Sequence, residues 1–241
     1  MDSSISINKL SKVYGKTSVL REVDLQVAGG EVFGLIGPSG SGKTTLVKMI
    51  VGIDSPSGGT VDVLGKRVPN LSLLQDIGYM AQSDALYPEL TGRENLSFFA
   101  SLYKMKKTVL KERIAYAADL VQLTNELGKK VSAYSGGMKR RLSLAIALVH
   151  DPQILILDEP TVGIDPELRL SIWRELMLLK REQGKTIIVT THVMDEAEKC
   201  DRIAMVREGG ILAAGTPEEL KLAYGAADLE GVFLQAGRNA R

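Results

Sequence analysis

The feature that most constrains this chain is the segment Glu31 to Gly52, "EVFGLIGPSGSGKTTLVKMIVG", in which an apolar run passes through a glycine- and serine-rich loop into a helical pattern. "VFGLI" has the chemistry of a buried strand, and "KTTLVKMIVG" reads as a helix stopped by Gly52. Between them Gly37, Pro38, Ser39, Gly40, Ser41, Gly42, Lys43, Thr44 and Thr45 fit the spacing G-x-x-x-x-G-K-[ST]. Glycines let successive backbone N–H groups turn toward one anion. A helix beginning near Gly42 adds the positive end of its dipole. Lys43 can reach the β- and γ-phosphates, and the Thr44 hydroxyl can ligate Mg²⁺. The ordinary alternative, a surface turn rich in glycine, does not account for the flanking strand and helix. The segment predicts a nucleoside triphosphate site.

A triphosphate site also needs a carboxylate for the metal and a group to activate water. "QILILDEP" offers both at the end of a run apolar enough for a central parallel strand. Asp158 is the candidate metal carboxylate, acting through a coordinated water, and Glu159 the candidate general base. Their alternative is an acidic pair at a strand–loop junction. Composition closes off other chemistry. The single cysteine, Cys200, excludes an internal disulfide and a multi-cysteine metal site, and two histidines without clustered ligands argue against zinc. A net charge of +1 gives no global signal for nucleic acid. "MDSSISINKL" lacks the pattern of a secretion signal, and no apolar run has the length of a bilayer span.

Strand-like segments ("SISINKL", "EVDLQVAGGEVFGLIG", "TVDVLG", "IGYMAQ" over 77–82) occupy the first part of the chain. From 83 to 150 the period becomes helical, opened by a capping box at Thr91 and Glu94. Leu96, Phe99 and Tyr103 form one stripe, and Leu110, Ile114, Ala117 and Val121 another. Strand and helix alternate again after Asp151-Pro152, with Asp165 and Pro166 opening a long helix that Gly184 ends. "RIAMVREGGILAAG" reads as a hairpin turning at Glu208-Gly209-Gly210, and Thr216 and Glu219 cap a final helix. The predicted organisation is a nucleotide-binding core over 1–82 and 151–222, a helical insert over 83–150, and a weakly patterned tail over 223–241.

Three features lack a local reason. Ser135, Gly136 and Gly137 open a helix as a second anion-binding start, which suggests a phosphate belonging to another molecule's site. His192 follows the buried strand "IIVTT", at an edge suited to a ligand, although a lone histidine is more often a core or loop residue. Gln82 leaves "IGYMAQ" where the insert begins, suited to reporting on metal and nucleotide, or simply a polar residue leaving a strand. Lys139, Arg140 and Arg141 read as a solvated helix face.

Taken in order, Tyr14, Gly37 to Thr45, Gln82, Ser135-Gly136-Gly137, Ile154 to Glu159, Gly163-Ile164-Asp165 and His192 resemble the ATP-binding subunits of ABC transporters over nearly the whole chain. Tyr134 and Met138 stand where that family most often has leucine and glutamine, and "VGID" replaces "SALD". These departures, with the segment from Thr191 to Leu220 and "DLEGVFL", are similar to the type-2 exporters of drugs, antibiotics or polysaccharides. The resemblance implies a P-loop NTPase core of α/β class with a mainly parallel sheet, an N-terminal antiparallel β subdomain and a helical insert. It implies ATP and Mg²⁺ as ligands, Tyr14 stacked on adenine, His192 at the γ-phosphate, and Gln82 near the metal and coupled to a membrane permease. Two copies, or this chain and a paralogue, are expected to pair head to tail on ATP, each P-loop facing the other's Ser135, Gly136 and Gly137. The place implied is the cytoplasmic face of a membrane, held peripherally, with no nucleic acid. A non-transport ABC ATPase acting on a soluble nucleoprotein is the alternative. A GTPase would need an N-K-x-D motif, which "NKLS" does not supply.

Overall fold

The computed structural model of the chain describes residues 3–103 and 105–239. In chain order it forms strands β1 (Ser3–Tyr14), β2 (Thr17–Ala28) and β3 (Val32–Ile36), helix α1 (Lys43–Val51), and strands β4 (Gly58–Val63), β5 (Lys66–Arg67) and β6 (Ile77–Met80). Helices α2 (Gly92–Ser101), α3 (Lys107–Leu120) and α4 (Gly136–Leu148) follow, then β7 (Ile154–Asp158), α5 (Pro166–Gln183) and β8 (Thr186–Thr191). The chain continues through α6 (Met194–Ala197), β9 (Arg202–Arg207), β10 (Gly210–Gly215), α7 (Pro217–Tyr224) and α8 (Leu229–Asn239). The fold is α/β, and it is built as two compact units, Met1–Leu73 with Thr186–Arg241, and Leu74–Lys185.

The first unit holds two layers of strands. An antiparallel sheet runs in the order β2-β1-β4-β5. Its alternation buries Ile5, Ile7, Leu20, Val23, Leu25 and Val27 on one face, as period-two patterning requires. β3 lies between β8 and β9, parallel to both, and β10 adds antiparallel to β9. Every residue of β3 and β8 is buried, which explains their continuous apolar runs. The β9–β10 hairpin turns at Glu208 and Gly209, both left-handed with φ of 50 and 80°. That backbone suits a two-residue hairpin loop. A Cβ on Gly209 would stand 2.3 Å from the Val19 carbonyl oxygen.

In the second unit β6 and β7 are parallel, paired from Ile77 with Ile154 to Met80 with Leu157. The strand "IGYMAQ" ends at Met80, two residues short of the sequence reading, so Gln82 lies in a loop. The Thr91–Glu94 capping box forms as expected. Helix α2 stops at Ser101, so Tyr103 leaves the expected stripe and stacks instead on His150, with ring centroids 3.7 Å apart. Asp165 caps α5 by accepting from the Leu168 N–H at 2.9 Å, and Gly184 closes it in a left-handed conformation. α4 packs on both β6 and β7. β7 and α5 fall with the helices of 83–150 in the unit Leu74–Lys185.

Gly78 is the closest approach in that packing: a Cβ there would lie 2.2 Å from the Ala147 carbonyl oxygen of α4 and 2.7 Å from Cγ of Pro152. Neither atom can swing away. Gly78→Ala is therefore expected to destabilise the chain by about 1–3 kcal/mol, the scale of an overpacked core. A urea midpoint shift with unchanged slope measures it; a midpoint equal to the parent's would contradict the packing.

Candidate functional site

In the first unit, three strands deliver residues to one edge. The register pairs Ile36 of β3 with Thr191 of β8 and with Met205 of β9, so the loop after Ile36 and the residue after Thr191 leave the same end of the parallel strands. That C-terminal edge is where open α/β sheets bind ligands. Gly37 begins the loop, and a Cβ there would fall 2.1 Å from the Val206 carbonyl oxygen, so only glycine fits. Gly40 and Gly42 turn the backbone with φ of 78 and 110°. Pro38, Ser39 and Gly40 are exposed, whereas Ser41, Gly42 and Lys43 are buried. Gly42 is the N-cap of α1 and has no side chain to accept from the helix's first N–H groups. No acidic residue stands in the first turn. The helix start is thus a donor surface with an uncompensated dipole. The Lys43 ammonium donates to the carbonyls of Gly37 and Pro38 at 2.7 and 3.0 Å, folding the side chain over its own loop. Thr44 and Thr45 follow on α1, half-buried, and His192 is exposed just beyond β8.

Tyr14 is fastened to the P-loop helix through Asp54. Its hydroxyl donates to one Asp54 oxygen at 2.5 Å, and the Lys12 ammonium donates to the other at 2.7 Å. The Asp54 N–H in turn bonds the Lys48 carbonyl of α1. The Lys12 hydrogen bond, with Tyr14 adding to it, holds the Asp54 carboxyl down at about 2. The same carboxylate pushes the Tyr14 phenol up, so it stays protonated. Lys12 also places its ammonium 4.7 Å from the Tyr14 ring centroid. Lys12 and Asp54 had no signal in the sequence, because a charge pair between β1 and the loop after α1 exists only once the strands are folded.

The second unit places its residues by the same rule. β6 and β7 run in parallel, so Gln82 and Glu159 leave neighbouring strand ends, and the Gln82 amide donates to Glu159 Oε2 at 3.4 Å. Asp158 is buried at the end of β7. Glu159 has a left-handed backbone, φ 53°, a conformation that costs a side chain about 1–3 kcal/mol. Tyr79 beside them is pushed up to about 12, first by burial and then by the Asp158 charge. Ser135 caps α4 by accepting from the Met138 N–H at 3.2 Å. This use of its lone pair leaves the hydroxyl proton to donate elsewhere. Ser135 and Gly136 are exposed, and Gly137 lies against the loop at Gly163, where a Cβ would be 3.2 Å from its carbonyl oxygen.

One residue corrects the sequence reading outright. Arg140 is not on a solvated face but 7% exposed. One terminal nitrogen donates to the carbonyls of Ala81 and Gln82 at 2.7 and 2.9 Å; the other donates to the carbonyl of Asp158 and to that of Glu159 at 2.8 Å. Burial pulls its pKa down, and the charges of Asp84, Asp158 and Glu159 oppose the shift. The signal was present: Arg140 shares a helical face with buried Leu144 and Ala147, an apolar stripe in which a charge needs partners. Arg141, its neighbour, also turns to main chain, at the carbonyls of Val121 and Gln122.

Comparison with known proteins decides the family. The model of the ABC transporter family matches residues 20–162. The Nod factor export ATP-binding protein I of Rhizobium etli is 42% identical over 221 residues, covering 90% of this chain and 70% of the relative. The chain belongs to the ABC transporter family. Its counterpart from Rhizobium meliloti is 44% identical over 220 residues, covering 90% of this chain and 65% of the relative. The ATP-binding subunit of an ABC transporter superposes with a TM-score of 0.90 at 27% identity, over 98% of this chain and 100% of that one. A dimeric post-hydrolysis state of an ATP-binding cassette bound to ADP and Pi superposes at 0.83 with 27% identity, over 88% and 98%. The chain is an ABC cassette ATPase: it binds ATP and hydrolyses it.

Proposed function

We propose that the cassette powers export of a substrate through a separate membrane permease of the type-2 ABC class. In this reading the P-loop amides and Lys43 hold the β- and γ-phosphates, and Tyr14 stacks on the base. The donors that remain suit Mg²⁺: Thr44 hydroxyl, Gln82 amide oxygen and one buried carboxylate, Asp158, are hard oxygens. Among the described residues no cluster of three or more His, Cys, Asp or Glu exists. This matches a cation carried largely by phosphates rather than by a protein cage. When bound, Mg²⁺ neutralises charge on the transferred phosphoryl group. Glu159 takes the proton of the attacking water, His192 orients that water at the γ-phosphate, and Gln82 senses the occupied site. The exposed start of α4 serves a second copy: Ser135, Gly136 and Gly137 donate to the nucleotide of the partner cassette.

The observation that carries export is an exposed aromatic cluster just after Gln82. Tyr87 and Phe98 are 46% and 40% exposed, yet pack edge to face at 4.9 Å, and Phe98 meets Phe99 at 5.3 Å. Asn95 pins the loop by accepting from the Tyr87 N–H and donating to its carbonyl. Such a rigid apolar patch is a docking surface for an apolar partner. Leu86 and Leu90, on the same loop, are half-buried. The relatives named for Nod factor export agree with this reading. No helix among the described residues is long and apolar enough to cross a membrane. In this reading the permease holds the cassette at the cytoplasmic face. A nucleoprotein partner has less support, since Arg140 and Arg141 are spent on backbone carbonyls rather than offered to phosphate.

Replacing Tyr87 and Phe98 together by serine is expected to leave ATP binding and basal hydrolysis of the isolated chain within about threefold of the parent. The same change should abolish association with the permease and export in vesicles. Retained export, or lost basal hydrolysis, would contradict the docking role.

A further inference from the structure

We infer that Arg140 is a positioning residue for ATP hydrolysis, fixing the main chain of Gln82 and Glu159 relative to each other and fastening both to the helix that presents Ser135. The inference rests on the reading of Glu159 as the group that activates water.

A guanidinium has five N–H groups in a rigid planar fork. Four bonds from its two terminal nitrogens reach the carbonyls of Ala81, Gln82, Asp158 and Glu159, two on each side. The remaining nitrogen, Nε, is buried with no acceptor. Two loops that are far apart in sequence are thus bridged by a single side chain. Neither loop can shift against the other without losing charge-assisted hydrogen bonds. The geometry matters for chemistry because Glu159 holds a left-handed backbone, φ 53°. That conformation persists only where its surroundings over-determine it, and Arg140 is bonded to the carbonyls on either side of that residue's own N–H. The charge is balanced locally: Asp84 stands 3.8 Å from the guanidinium and is itself held by the Ser143 hydroxyl at 2.7 Å. Ser143 lies on α4, so the clamp is fixed to that helix from two positions.

Arg140 also lies on the helix capped by Ser135. A displacement of α4 by a nucleotide at its start would therefore be delivered to Gln82 and Glu159 of the same copy. A lysine cannot reproduce this. Its single ammonium reaches one point, whereas the four carbonyls need a fork. Glutamine keeps a hydrogen-bonding plane but no charge.

The test is steady-state ATPase activity with nucleotide titration on the full chain, comparing parent, Arg140→Gln, Arg140→Lys and Glu159→Gln. The expected result for both Arg140 variants is a fall in kcat of about 30-fold or more, with KM and ATP affinity within about threefold and a cooperative thermal transition retained. In a third variant, Arg140→Ala, guanidinium at low millimolar concentration should restore part of the activity, and urea at the same concentration should not. Activity of either variant within about threefold of the parent would overturn the inference. So would loss of folding in both Arg140→Gln and Arg140→Lys, since the side chain would then be scaffold alone. Full activity in Glu159→Gln would instead remove the reading of Glu159 on which the inference rests.

Discussion

Glu159→Gln is expected to lower steady-state ATP turnover by at least about 10²-fold, the scale of a lost general base, while ATP binding stays within about threefold. The two functions separate because they reside on different elements. The phosphate cradle is made of backbone from Gly37 to Thr45, with the Lys43 ammonium bonded to the Gly37 and Pro38 carbonyls, whereas Glu159 follows the end of β7. Glutamine is isosteric, so the Gln82 amide can still bond the side-chain oxygen it now reaches at 3.4 Å. Only the capacity to accept a proton is lost. Turnover near the parent's would take Glu159 out of the catalytic role and leave water activation to another group.

The second large effect is on binding. Lys43→Ala is expected to weaken ATP affinity by at least about 10²-fold. The Lys43 ammonium is buried against the loop, bonded to the Gly37 and Pro38 carbonyls at 2.7 and 3.0 Å. It is therefore already confined where phosphate is to bind, and little entropy remains to be lost. Charge-assisted hydrogen bonds contribute about 1.5–3 kcal/mol each. Loss of two such bonds to phosphate corresponds to the stated factor. Nucleotide titration by calorimetry measures it, with a thermal melt to show that the alanine chain still folds. An affinity within about threefold of the parent's would mean that the amides hold the triphosphate without the lysine.

The P-loop was legible because its constraints are local. Gly37, Gly40 and Gly42 answer to a backbone clash or a left-handed φ that any sequence of this spacing would meet. The caps at Thr91, Asp165 and Thr216 were legible for the same reason, since each helix end is completed within three residues. Arg140 was misread because charge was weighed before periodicity. Its position in the apolar stripe of α4 indicated burial, but the four carbonyls it serves come from Ala81, Gln82, Asp158 and Glu159, which only tertiary structure brings to one side chain. Helix α8 was passed over in the tail for a compositional reason. Gly231 and Gly237 weaken its propensity, although Leu229, Val232 and Ala236 bury a face at helical spacing. The Lys12–Asp54–Tyr14 set was not legible at all, being a product of how β1 meets the end of α1.

ATP is expected to join two cassettes through Ser135, and the mass of the nucleotide-bound species tests this directly. Light scattering on size-exclusion fractions of the Glu159→Gln chain, with and without ATP, reports the mass of the species formed when nucleotide is bound but not consumed. The expected result is monomer alone, dimer with ATP, and monomer in both conditions once Ser135→Arg is added, because an arginine at the exposed start of α4 obstructs the partner's phosphates. A Glu159→Gln chain that stays monomeric at saturating ATP, or a Ser135→Arg form that still dimerises, would contradict it.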